Sequence, residues 1–162
     1  MSNALKHTFV TSDHHFGSWK LLSFFKVFSK EEENSLIEKW NSIVSKDDVV
    51  YYNGDFSDCN VEDLCGYANQ LNGQIILVKG NHDNLPNDVY KAVFKDVVDE
   101  VILDDIGLTI HHCPGEFKTK HEVYGHIHRS FHKYSNPSSF CSCVQSNDGY
   151  PVSIEKVLLS FK

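Results

Sequence analysis

Short apolar runs, each stopped by a polar cluster, set the pattern of this chain. Ile75-Ile76-Leu77-Val78 is four aliphatic residues in a row. Such a run reads as a strand buried on both faces. It ends at Gly80, and Asn81, His82 and Asp83 follow at once. Residues 8–12 read as a first strand ending in Asp13-His14-His15, and residues 48–53 as a second ending in Gly54-Asp55. Between these two, Ser29 and Glu32 form a capping box. The helix after it carries Leu36, Ile37, Trp40, Ile43 and Val44 on one face. Asn60 caps a second helix with Val61, Leu64, Cys65, Ala68 and Leu71 inward, closed by Asn72-Gly73. Leu85-Pro86 breaks the chain before a short helix over 88–94.

Residues 97–103 and 108–112 then read as an antiparallel hairpin turning at 104–107. Residues 115–122 form a charged loop. Val123-Tyr124 is a brief strand that ends in Gly125-His126-Ile127-His128-Arg129. Residues 140–144 make a further strand, and Val157, Leu158 and Leu159 mark an apolar terminal segment. The aromatic-rich residues 19–28 read as either a short helix or a loop beside a site. No repeat, low-complexity tract or linker interrupts the chain, so one domain over 5–162 is expected. Strands alternating with helices, then mostly strands, predict two packed sheets with helices outside.

Composition narrows the function. At 162 residues, 41% apolar and 23% charged, the chain has room for one full core. The net charge of −7 disfavours tight non-specific binding to a nucleic-acid backbone. It leaves open a small phosphate ester held by bound cations. No apolar run is long enough to span a membrane, and no signal peptide opens the chain. Five cysteines, an odd number, read as reduced core or edge thiols. A cytoplasmic location is therefore expected. The oddity is ten histidines, concentrated in 7–15 and 111–132 with His82 between. Loop histidines in such numbers point to metal or proton transfer.

Five polar clusters sit at five expected strand ends: Asp13/His15, Asp55/Asp58, Asn81/His82/Asp83, His111/His112 and His126/His128. Asp13 and His15, like His126 and His128, are two apart, so on extended backbone they point the same way. Taken singly, a Gly-Asp, an Asp-x-His or a His-His is ordinarily a surface turn. Five in order, each after a strand, carry chemistry. Hard oxygen plus imidazole suits Mn, Fe, Zn or Ni, and two divalent ions, Mn before Fe, Zn or Ni, are the expected cofactors. The ligands are too many for one ion and suffice for two that share a carboxylate. Two ions about 3.5–4 Å apart clamp the attacking and leaving oxygens of a phosphoryl centre.

Asp13-x-His15, Gly54-Asp55-x-x-Asp58, Gly80-Asn81-His82-Asp83, His112 and Gly125-His126-x-His128 resemble the calcineurin-like metallophosphoesterase signature. With His112-Cys113-Pro114 and Tyr150-Pro151-Val152-Ser153, the chain resembles its small single-domain branch of bacteria and phages. The resemblance implies an α/β fold, a four-layer αββα sandwich. It implies Asp13, His15 and His128 on a first metal, Asp55 bridging, and Asn81, His112 and His126 on a second. His82 would be the proton donor, oriented by Asp58 or Asp83. The implied reaction is hydrolysis of phosphate mono- or diesters by metal-bound hydroxide.

Departures from the family pattern matter too. Ser18 follows Gly17 where that branch often has histidine, and Phe24-Phe25-Lys26-Val27 replaces its usual arginine-bearing segment. Cys59-Asn60 stands where protein phosphatases have Arg-Gly, so protein phosphatase activity is not expected. Arg129, the only arginine, and His14 are the candidate substrate contacts, and His111 is a spare beside His112. The expected partner is a small phosphate ester, nucleotides included, with long nucleic acid disfavoured. A nuclease or cyclic-oligonucleotide phosphodiesterase of the same fold is one rival. A catalytically weak metal- or partner-binding module is another.

Overall fold

A computed structural model describes residues 3–18, 30–115, 117–128 and 136–161. The expected capping residue Ser29, the aromatic segment 19–28 and Arg129 lie outside the described residues. Strands β1 (Thr8–Thr11), β2 (Val49–Tyr52), β3 (Gln74–Val78) and β4 (Asp96–Val98) run parallel to their neighbours. Helices α1 (Lys30–Ile43), α2 (Val61–Ala68) and α3 (Asn87–Val93) lie between them in sequence. A second sheet holds β5 (Val101–Leu103), β6 (Leu108–Ile110), β7 (His121–Tyr124) and β8 (Ser139–Cys141). Strand β9 (Val152–Ser153) returns antiparallel to β1, and α4 (Ile154–Ser160) ends the order. The sheet orders are β4-β3-β2-β1-β9 and β5-β6-β7-β8.

Strand alternation builds two cores from one sheet. Phe9, Val50, Tyr52, Ile75 and Leu77 point to the helices, where Trp40, Leu64, Tyr90 and Phe94 meet them. Val10 and Val78 point the other way, toward Leu108, Ile110 and Val123 of the second sheet. Helix α4 adds Ile154 and Val157 to that second core, with the Ser153 hydroxyl capping Lys156 N–H. The result is an α/β sandwich of two packed sheets with helices outside, as the strand and helix pattern predicts, and it fits the sandwich that the family resemblance implies.

Several local expectations are corrected. Residues 97–103 are not one strand of a hairpin. The run splits at Asp99-Glu100, so β4 joins the first sheet beside β3 and β5 joins the second beside β6. Periodicity reports a strand locally and says nothing about which sheet receives it. Strand β7 starts two residues earlier than expected, because Glu122 finds partners inside the protein. Its carboxylate accepts from Ser139 Oγ at 2.7 Å and Gly115 N–H at 3.1 Å, and faces His111 Nε2 at 2.7 Å. Burial opposes ionisation of Glu122, but these donors outweigh it and hold its carboxyl below the usual range. Ile43 and Val61, expected inward, are 40% and 44% exposed because each sits at a helix end. Asn60 caps α2 as expected, accepting from Asp63 N–H at 3.0 Å. Among the described residues no helix is long and apolar enough to cross a membrane.

Candidate metal centre

Strands β1, β2, β3, β6 and β7 each release a polar loop at the carboxyl end, the edge where open α/β sheets bind ligands. The loops are forced into unusual backbone. Six non-glycine residues among those described have positive φ, and five of them are Asp13, His15, Asp55, His126 and His128. Each such conformation costs about 1–2 kcal/mol and persists only where the surroundings over-determine it. Glycines make the room. A Cβ on Gly80 would collide with the Asp55 carboxylate, and one on Gly54 with the His112 ring.

The side chains converge in two sets. Asp13, His15 and His128 bring ligand atoms within 4.8 Å of one another, and all three are buried. Asp55, His112 and His126 do the same. Asn81 joins this second set, its Oδ1 lying 3.1 Å from His112 Nε2 and 2.8 Å from His126 Nδ1. Asp55 Oδ2 lies 3.6 Å from His15 Nε2 in the first set and 3.2 Å from His112 Nε2 in the second. It is the carboxylate the two sets share. Carboxylate oxygen, amide oxygen and imidazole nitrogen form a donor set suited to divalent transition metals. The sites therefore fit the ions that the motifs imply.

The electrostatics follow from the shared carboxylate. Burial is the largest influence on Asp55 and opposes its ionisation, yet His112, the His82 N–H and His15 together outweigh it and hold the carboxyl at about 2. On the partner side, burial disfavours the charged His112 ring. Asp55 and Asp13 override it and raise His112 to about 9. His112 Nδ1 donates to the Asn53 carbonyl at 2.8 Å, which leaves Nε2 aimed at the cluster.

Asn81 and His82 diverge from the strand end. His82 turns toward the first set, its ring centroid 5.0 Å from that of His15. Asp58 holds both rings, taking His82 Nδ1 at 2.6 Å and His15 Nδ1 at 3.1 Å. His15, Asp58 and His82 also satisfy the geometry of a metal-binding group.

Two expected site residues are placed elsewhere. Asp83 does not orient His82. It is 2% exposed and accepts from the N–H groups of Asp55, Phe56 and Gly80 at 2.9, 3.0 and 2.8 Å. It braces the Gly54 loop against the Gly80 loop. Burial pushes its carboxyl up to about 6 against the lowering effect of those donors. His14 does not face the cluster. It is 1% exposed, 2.8 Å from Tyr52 Oη, and packed on Phe16 and Trp40. Burial, with His15 beside it, lowers its pKa to about 3. That position leaves it no surface to offer a substrate. His111 likewise turns away from the cluster to Glu122, and His112 is the member of the pair that enters the site.

Three supporting side chains carry no motif. Glu33 accepts from Gly17 N–H at 2.7 Å and Tyr67 Oη at 2.8 Å, pinning the Asp13 loop to α1 and α2. Asn53 donates from Nδ2 to the His111 carbonyl at 2.9 Å, tying the end of β2 to the end of β6. Gln145 reaches His128 Nδ1 at 3.3 Å. In sequence each is one polar residue among many. Only the register of distant segments reveals it.

The chain is 32% identical over 85 residues to an uncharacterized protein of Methanocaldococcus jannaschii, covering 49% of this chain and 48% of that one. It is 31% identical over 97 residues to the gene 66 protein of Mycobacterium phage L5, covering 55% and 47%. The chain thus spans about half the length of the curated relatives it matches. A crystal structure of a protein of unknown function from Aquifex aeolicus superposes with a TM-score of 0.78 at 22% identity, over 93% of this chain and 96% of that one. That likeness shows the fold. A model of the calcineurin-like phosphoesterase family matches residues 6–149, which carry all seven clustered side chains, and the chain belongs to that family.

Proposed function

We propose that this chain hydrolyses small phosphate esters at a centre of two divalent cations. The observation that carries the reading is the meeting of the two ligand sets at Asp55 Oδ2. Asp13, His15 and His128 would hold one ion, and Asn81, His112 and His126 the other, with Asp55 common to both. Bound there, such ions lower the pKa of a water ligand and neutralise phosphoryl oxygens. The chain's own groups do the rest. Asp58 fixes the His82 tautomer, because a carboxylate accepts and so places the proton on Nδ1. His82 is 31% exposed, and its imidazolium form, with Nδ1–H kept on Asp58, can hand the Nε2 proton to a departing alkoxide and return to the neutral Nδ1–H ring. Asp83 and Glu33 hold the loops at ligand-bearing angles.

Mn is the first metal to test, and the substrate class is a small mono- or diester, nucleotides included. The −7 charge and single arginine support a small substrate over a long polyanion. The test is turnover with added Mn on a chromogenic diester, its monoester, and plasmid or single-stranded DNA. Turnover of either small ester above that of DNA is expected. Efficient DNA cleavage at moderate salt, with neither small ester consumed, overturns the substrate assignment.

A further inference from the structure

Gln145 lies in a short 3-10 turn, Val144–Ser146, that follows β8 and carries none of the ligand motifs. The turn is pinned in place. Val144 N–H donates to the Ser12 carbonyl at 3.0 Å, and Asn147 Nδ2 donates to the carbonyls of Cys141 and Cys143 at 3.0 Å each. From this platform the Gln145 amide spans two ligands whose positions in the chain are far apart. Its Nε2 is 3.2 Å from the Asp13 carbonyl, and its Oε1 is 3.3 Å from His128 Nδ1.

The chemistry of the contacts orders the protons. A backbone carbonyl only accepts, so the amide nitrogen must face Asp13. The amide oxygen must then face His128, and it too only accepts. His128 Nδ1 must therefore carry the hydrogen, which leaves the Nε2 lone pair free of it. That Nε2 lies 3.6 Å from Asp13 Oδ1, inside the first ligand set. The same amide steadies Asp13, whose φ of 61° puts an L-residue in the left-handed region.

We propose that Gln145 is a positioning residue for the first cation. One amide fixes the tautomer of His128 and the backbone of Asp13, so that both present lone pairs to one ion. This rests on the two-cation reading above and goes beyond it, because it assigns a role to a residue outside every ligand motif. Groups that orient a histidine ligand through its second nitrogen change metal affinity by roughly 10–100-fold when removed.

The test uses the full chain, 15N-labelled at histidine, with wild type, Gln145→Met and Gln145→Glu. In the metal-free wild type, His128 should show the Nδ1–H tautomer, and Gln145→Met should lose that preference. Zn2+ alone is then titrated, with His128 and His126 resonances reporting the first and second sets separately. Gln145→Met should weaken the first set about 10–100-fold and leave the second within about twofold. Gln145→Glu keeps an acceptor for Nδ1–H but loses the donor to the Asp13 carbonyl, so it should restore the tautomer and only part of the first-set affinity. An unchanged tautomer in Gln145→Met, equal weakening of both sets, or no restoration of the tautomer by a folded Gln145→Glu overturns the proposal. Wild type that keeps the tautomer but takes up no Zn2+ at either set overturns the two-cation reading and the metal half of this proposal with it. The tautomer separates that failure from a failure of Gln145 itself.

Discussion

Asp55 Oδ2 sits 3.2 Å from His112 Nε2, so the second ligand set is held together before any cation arrives by a carboxylate–imidazole pair. On the two-cation reading, the pair would make metal uptake a proton-release reaction. A ligand histidine must be neutral, and metal-free His112 keeps its proton up to about pH 9. Affinity of the second set should therefore rise with pH up to about 9. Below that, binding should expel a proton. Calorimetry in two buffers of different ionisation enthalpy reads the release directly. Release close to zero at neutral pH would show that His112 is already neutral or is not a ligand.

The stability of the metal-free protein should carry the same signature with a defined sign. His112 is raised from 6.5, so its contribution is fully present below 6.5 and is lost as pH rises through about 9. Asp55 is depressed from 3.8, so its contribution holds above 3.8 and is lost as pH falls through about 2. The two shifts describe one interaction and do not add. Melting temperature in chelator should fall across the alkaline window for wild type and much less for His112→Gln.

Asp55→Asn should lower occupancy of both sets together, because the shared oxygen belongs to both. A variant at Asp13 should strip the first set before the second. Elemental analysis of the two purified variants decides it. Full two-metal loading in Asp55→Asn removes Asp55 from the shared position.

Asp83→Ala should act on stability. Three N–H groups lose their acceptor. Each buried donor left unpaired costs about 1–3 kcal/mol, so a loss of about 3 kcal/mol or more is expected. For a chain of this size that is a fall of roughly 6 °C or more in melting temperature. Asp58→Asn, at a carboxylate facing the mouth, should melt close to wild type. Equal melting temperatures for wild type and Asp83→Ala would return Asp83 to the list of catalytic candidates.

Asp13, His15, Asp55, Asn81, His112, His126 and His128 are legible in the sequence because each is a ligand-type side chain just past an apolar run. The fold class is legible for the same reason, since strand and helix periods are local properties. The split of 97–103 into β4 and β5 is not, because sheet membership is decided by packing far from the strand. Asp58 and Asp83 are equally plausible partners of His82 by spacing. Only the three-donor pocket that captures Asp83 separates them. His14 reads as polar because of its neighbours, yet the positive φ of Asp13 and His15 on either side of it accompanies a turn of its ring into Phe16, Trp40 and Tyr52. Gln145, Asn53 and Glu33 have no local signal, since each acts across a gap of tens of residues or more, or across two elements, with one amide or carboxylate.

His82 offers the sharpest test of mechanism. It leaves β3 beside Asn81, but the two side chains part, Asn81 to the second set and His82 to Asp58. Its Nδ1 is committed to Asp58, so only Nε2 can face a substrate. Positioned acid catalysis is worth about 10²–10⁴-fold, and less where the leaving group is already a weak base. His82→Ala should keep both metals and lose much of its rate on an alkyl ester. On a nitrophenyl ester the loss should be far smaller. The grouping of His15, Asp58 and His82 in metal-binding geometry supplies the competing outcome. If His82→Ala loses an ion by elemental analysis, His82 is a ligand. If both esters slow by the same factor with the ions retained, His82 positions the phosphate or stabilises charge and donates no proton. A rate loss that tracks leaving-group basicity, with metal content unchanged, assigns the proton to His82 Nε2.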